Sequence, residues 1–128
     1  VDQITLMLVM LALFQVKHLF ADFYLQTPKM LSAGATYVHA GRAQHALVHI
    51  VGSFLVLLPF GLLAGLSWGL VVGLLALEWV LHYHIDFGKG WWSKRTAFTT
   101  TDAGYWRAFG VDQLAHQWTY IAMVWMAV

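Results

Sequence analysis

The sequence predicts an all-α integral membrane protein, one domain built as an up-down-up-down bundle of four helices. Three observations carry this. The chain is 60% hydrophobic and 10% charged, with mean hydropathy +0.66, against about 45–50% and about 25% for a soluble domain. Its apolar residues gather in four runs of spanning length, at about 2–23, 43–63, 68–87 and 105–128. Each run also carries two ionisable side chains at i and i+4: His18/Asp22, His45/His49, His82/Asp86 and Asp112/His116. Such pairs stack on one helix face, and groups this costly in a bilayer are kept for a use.

The first span holds an uninterrupted apolar core, Ile4–Phe14, and ends in the polar stripe Gln15, His18, Asp22 and Gln26. Thr27-Pro28 breaks it, because proline lacks the N–H and steers its predecessor away from the helix. Residues 29–42 are a connection in which Met30, Leu31, Tyr37 and Val38 suit the headgroup region. The second span has His45 and His49 in its first two turns, and Pro59 is expected to kink it or to end its regular part. The short link Ala64-Gly65-Leu66-Ser67 makes spans two and three antiparallel neighbours. Span three carries Gly69 and Gly73, a small-xxx-small pair suited to close packing, and ends near Phe87. The most polar stretch follows, with Trp91 and Trp92 as interface anchors and Asp102 expected to cap span four.

Two independent signals agree on topology. The pairs sit at the C-terminal ends of spans one and three and at the N-terminal ends of spans two and four, which an up-down-up-down order brings to one depth. All seven Lys and Arg (Lys17, Lys29, Arg42, Lys89, Lys94, Arg95 and Arg107) flank that same side. Positive residues favour the cytoplasm, so the sequence predicts both termini outside and a polar cluster near the cytoplasmic face of the inner membrane.

A length of 128 residues allows one domain. The net charge of +1 says nothing about partners, and no basic cluster suggests nucleic acid. Without cysteine there can be no disulfide, thiolate zinc site or iron–sulfur cluster. The N-terminus has no basic n-region or small-residue cleavage site, so the first run is expected to be retained as a span.

Imidazole suits Zn, Fe, Mn and Cu, and carboxylate adds hard oxygen donors and balancing charge. The expected ligands are His18, Asp22, His45, His49, His82, Asp86, Asp112 and His116. Five His and three Asp exceed the need of one four-coordinate ion, so one or two divalent ions are expected, Zn first, with Mn or Fe as alternatives. Glu78 lies one turn deeper than His82 on the same face. It is the expected catalytic carboxylate, either hydrogen-bonded to an imidazole such as His82 or His49 or ligating the deeper ion. Gln15, Gln26 and Gln113 fall within a turn of the ligands, where they can orient imidazoles. His39 and His84 are expected at the interface instead. Any single His–Asp pair also suits a structural hydrogen bond between helices. Four at one depth favour a shared site.

The motifs His18-Leu-Phe-Ala-Asp22-Phe-Tyr-Leu-Gln26, His45-Ala-Leu-Val-His49, His82-Tyr-His-Ile-Asp86 and Asp112-Gln113-Leu-Ala-His116 resemble the signature of a family of small bacterial and phage membrane proteins of unknown function. The pattern is similar in spirit to predicted membrane-bound metal-dependent hydrolases. The resemblance covers nearly the whole chain and implies a metal site.

The leading expectation is therefore a hydrolase in which a divalent ion eases proton loss from the attacking water. Its substrate would be an amphipathic, phosphate- or ester-bearing lipid from the cytoplasmic leaflet, its head paired with Arg42, Lys89 and Arg107. A metal-ion or proton transporter is the second class, although the outer half offers only Gln3, Thr5, Ser53, Ser67 and Thr119 to continue a path. A di-iron redox enzyme or haem protein fits the Asp share poorly, and a purely structural subunit leaves the cluster unexplained.

Overall fold

The computed structural model describes residues 1–128. The chain is all-helical. Helix α1 (Gln3–Leu19) runs into a π-helical turn (Phe20–Tyr24); short α2 (Pro28–Leu31) and long α3 (Ala40–Leu63), α4 (Trp68–Thr96) and α5 (Ala103–Ala127) follow. Helix α1 packs on α3 and α5, and α4 packs on the same two, so each long helix touches two others. Gln3–Tyr24, Ala40–Leu63 and Trp68–Thr96 are long and apolar enough to cross a membrane. Helix α5 matches them in length but is less apolar, because Arg107, Asp112, Gln113, His116 and Gln117 interrupt it.

Local chemistry sets the helix ends. Asp2 caps α1, its Oδ1 accepting from Thr5 N at 2.9 Å. Thr27 caps α2 through Met30 N, with Pro28 at the first position, where its missing N–H costs nothing. His39 caps α3, its Nδ1 accepting from Gly41 N at 2.9 Å. Helix α4 stops at Ala97, which takes the left-handed conformation (φ 53°).

Four expectations need correction or narrowing. Helix α4 continues past Phe87 to Thr96, because Gly88 and Gly90 cost only about 1 kcal/mol each in a helix interior. Its 29 residues span about 44 Å, more than the roughly 30 Å of bilayer hydrocarbon. Of the two outcomes expected at Pro59, the early end does not occur: it lies inside α3, which runs on to Leu63 as span two was expected to do. Asp102 stands at the α5 N-cap, but its carboxylate turns back to accept from Thr99 N at 2.8 Å. Gly69 and Gly73 approach no other helix.

The close approaches occur at other glycines. A Cβ on Gly90 would lie 1.9 Å from the Gly34 carbonyl oxygen, so α4 runs directly beneath the loop between α2 and α3. A Cβ on Gly52 would lie 2.6 Å from Lys17 Cγ, so α3 leaves room there for the lysine stem to enter between helices. That stem marks a division. On one side, Met10, Phe14, Leu57, Leu74 and Met123 form a dry core; on the other, most buried side chains are polar.

Gly90→Val should therefore lower stability by about 1–3 kcal/mol, the usual cost of overpacking. Gly73→Ala, which meets open space, should raise it by up to about 1 kcal/mol through the better helix propensity of alanine. Thermal midpoints in detergent compare the two.

Candidate metal centre

The i,i+4 spacing puts both members of each pair on the inward face of its helix, and the ring of helices brings the faces together. The π-helical turn carries Asp22. Its Leu25 N–H reaches back to Phe20 O at 2.8 Å, one residue beyond the α-helical partner; such turns often mark functional sites. All five imidazoles of the motif direct Nε2 at one of two carboxylates. Asp22 has His49 Nε2 at 2.7 Å and His45 Nε2 at 3.1 Å on Oδ1, and His18 Nε2 at 3.1 Å on Oδ2. Asp86 has His82 Nε2 at 2.9 Å on Oδ2 and His116 Nε2 at 3.2 Å on Oδ1. His45 Nε2 also lies 3.5 Å from Asp86 Oδ2, so it joins the two halves.

Two groups of side chains offer ligand atoms mutually within 4.8 Å: Asp22, His45, His49 and His82, and His82, Asp86 and His116. Donors held at 2.0–2.1 Å by a tetrahedral ion lie roughly 3.3–3.4 Å from one another. The Asp22–His45 and Asp86–His116 separations already match, so these buried groups can hold a metal ion. His82 belongs to both groups, yet its Nε2 lone pair serves one ion. Assigned to Asp86 and His116, it leaves three ligands on each side.

The other two expected ligands stand at the edge. His18 Nε2 lies 2.8 Å from Gln113 Oε1 and its Nδ1 2.8 Å from Tyr120 Oη, so both ring nitrogens have partners outside the ligand groups. Asp112 has Oδ1 3.6 Å from His116 Nε2, while its Oδ2 faces Gln113 Nε2 at 3.2 Å and Lys89 Nζ at 3.6 Å. Gln113 thus sits among the ligands. Gln15, expected beside it, is exposed on the outer face of α1. His84 and His39 lie outside the cluster: His84 Nε2 pairs with Tyr37 Oη at 2.7 Å, and His39 caps α3.

Glu78 corrects a sequence expectation. It is fully buried, and Oε1 accepts from Lys17 Nζ at 2.5 Å rather than from an imidazole. The same ammonium lies 3.1 Å from His49 Nδ1 and 3.0 Å from Tyr120 Oη. Glu78 therefore reaches the cluster through Lys17. Lys17, expected with the other cations at the end of the bundle, stands inside it instead, directly beneath the imidazoles. Sequence reasoning missed Lys17 and Tyr120. A signal existed for both: Tyr120 extends the Asp112/His116 stripe by four residues, and a carboxylate at Glu78's depth demands a cation that only Lys17 is deep enough to supply.

The three expected head-binding residues separate. Arg42 is buried, with Nη2 donating to Gly34 O at 2.7 Å and to Thr36 O at 3.1 Å. Its guanidinium fastens the α2–α3 loop. Lys89 and Arg107 both line an open cavity of about 680 Å³ between α4 and α5 that reaches Asp112. A smaller cavity of about 160 Å³, lined by Gln26, Arg42 and Ser93 among others, reaches His45 and Asp86 from the loop side.

Removing one member of a buried ion pair strands the other, at a cost of about 3–5 kcal/mol, whereas replacing both is often neutral. Lys17→Met and Glu78→Leu should each destabilise the fold by about that much, and the double variant should recover most of the loss. Chemical unfolding in detergent measures the cycle.

No curated protein and no solved structure matches the chain. One family does, over residues 8–128, described as "Protein of unknown function (DUF3307)". The match covers every helix of the site, and the chain belongs to that family.

Proposed function

We propose that the chain is a membrane-embedded, divalent-metal-dependent hydrolase with four spanning helices and both termini outside, acting on a phosphate- or ester-bearing lipid near the cytoplasmic face. One arrangement carries the reading: with the shared His82 assigned to Asp86 and His116, each side supplies three protein donors. Structural metal sites close with four, while catalytic sites keep a position open. Two such groups that share the His45–Asp86 approach suit a pair of ions, Zn before Mn or Fe. Ions held there would lower the pKa of a water and polarise a phosphoryl or carbonyl oxygen.

The protein's own groups have distinct tasks in this reading. Asp22, His45 and His49 hold one position; His82, Asp86 and His116 hold the other. Lys17 and Tyr120 fix the rings of His49 and His18 from below, and Glu78 acts through Lys17 as a positioning residue. Gln113 ties Asp22 to Asp112 across the site, its Nε2 lying 3.5 Å and 3.2 Å from their carboxylates. The smaller cavity, with Gln26, Arg42 and Ser93 in its wall, offers water a route to His45 and Asp86. Transport of an ion or proton is the second reading. The dry layer of Met10, Phe14, Leu57 and Leu74 beneath Lys17 argues against it, because a conducting path needs polar groups through the full thickness.

The chain purified without a histidine tag should carry one to two metal equivalents. Asp86→Ala should remove about one, and Asp22→Ala about the other. Phosphorus NMR of a metal-loaded sample with bacterial lipid should show ester cleavage that a chelator stops. A loaded protein that cleaves no lipid but passes metal across proteoliposomes would overturn the hydrolase reading. Glu78→Gln should weaken metal binding roughly 10–100-fold, as loss of an outer partner does, which a competitive chelator titration reads.

A further inference from the structure

The geometry points to a single-acyl-chain docking groove for an anionic lipid along the α4–α5 seam, its head between Lys89 and Arg107. Two cavities lie end to end on this seam, of about 680 and 470 Å³, and share Ile85, Val111 and Ala115. The first is cationic at its mouth: Lys89 and Arg107 line it, and Asp112 is the only carboxylate. The second is walled by Leu81, Leu114 and Trp118 with no charged group. From Arg107 to Ala122 the seam runs fifteen residues along α5, about 22 Å, longer than the roughly 15 Å of one leaflet's hydrocarbon.

Charge and polarity therefore change along the seam as they do along a lipid, with cations at one end and hydrocarbon at the other. Arg107 is exposed and turned to the mouth. Lys89 has a more particular position. Its Nζ is 4.7 Å from the centre of the Phe109 ring and 3.6 Å from Asp112, and the residue lines both the lipid-side cavity and the loop-side cavity. An anionic head drawn to Lys89 would stand beside Asp112 at the edge of the ligand cluster, with water arriving from the other side of the same lysine. The apolar cavity of about 470 Å³ has the size of one acyl chain rather than two. The groove deepens the reading above and rests on its membrane embedding, but not on hydrolysis.

The test is lipid retention by the full-length chain in detergent with metal removed by chelator, read by native mass spectrometry. The probes are lysophosphatidic acid, its two-chain counterpart phosphatidic acid, and lysophosphatidylcholine. One lysophosphatidic acid should bind per chain, more tightly than either comparison lipid. K89Q/R107Q, which changes two side chains outside the packed core, should weaken it about tenfold by loss of charge-assisted hydrogen bonds. Ala115→Trp should block the shared part of the groove and abolish binding. Helical circular dichroism and retained metal affinity establish that each variant is folded; a misfolded Ala115→Trp is replaced by Val111→Trp at the same constriction. Equal retention of the zwitterionic or two-chain lipid, or binding indifferent to both sets of variants, would overturn the groove. Lipid bound in the groove but never cleaved after metal is restored would overturn the hydrolase alone.

Discussion

Burying an ionisable side chain among apolar helices costs several kcal/mol unless it finds a partner, and this constraint sets the register of the long helices. Asp22 and Asp86 discharge most of it. Between them they gather the Nε2 atoms of five imidazoles from α1, α3, α4 and α5 at 2.7–3.2 Å. A shift of any helix by one turn would strand charged or polar groups away from their partners. Apolar packing alone would tolerate such a slip, since leucine and valine are nearly interchangeable on an apolar face. The polar cluster gives the fold its uniqueness as well as its chemistry.

Lys17 and Glu78 mark where that cluster ends. The pair forms a boundary layer with Tyr120 and His49, and the next layer down is dry. Phe14 stacks on Tyr120 with ring centroids 5.3 Å apart, so the phenol shows an apolar face to the core and its hydroxyl to the histidines. Gly52 makes the layer possible by leaving space for the lysine stem. The site is consequently open at one end only.

Access follows from the length of α4. Its last two turns lie under the α2–α3 loop, held there by the close approach at Gly90 and by the Arg42 clamp on Gly34 and Thr36. The loop thereby roofs a small polar cavity over His45 and Asp86, while the opposite flank of α4 opens to the α5 seam. Lys89 stands between the two. The two cavities thus reach the cluster from opposite flanks of α4.

The sequence by itself determined the helical class, the positions of the long apolar segments, and the one-sided location of the paired ligands. These rest on local periodicity: an i,i+4 spacing fixes a shared face whatever the helix packs against. His39 and His84 could be set aside for the same reason. Tertiary structure decided which of those faces touch, and so which atoms share a partner. It moved His18 and Asp112 to the margin of the ligand groups, gave Glu78 a lysine in place of an imidazole, and turned Arg42 to the loop carbonyls. The reason is physical. A residue's depth and face follow from its own helix, but its partner follows from the register between helices, and that register is fixed by the summed demand of every buried charge at once.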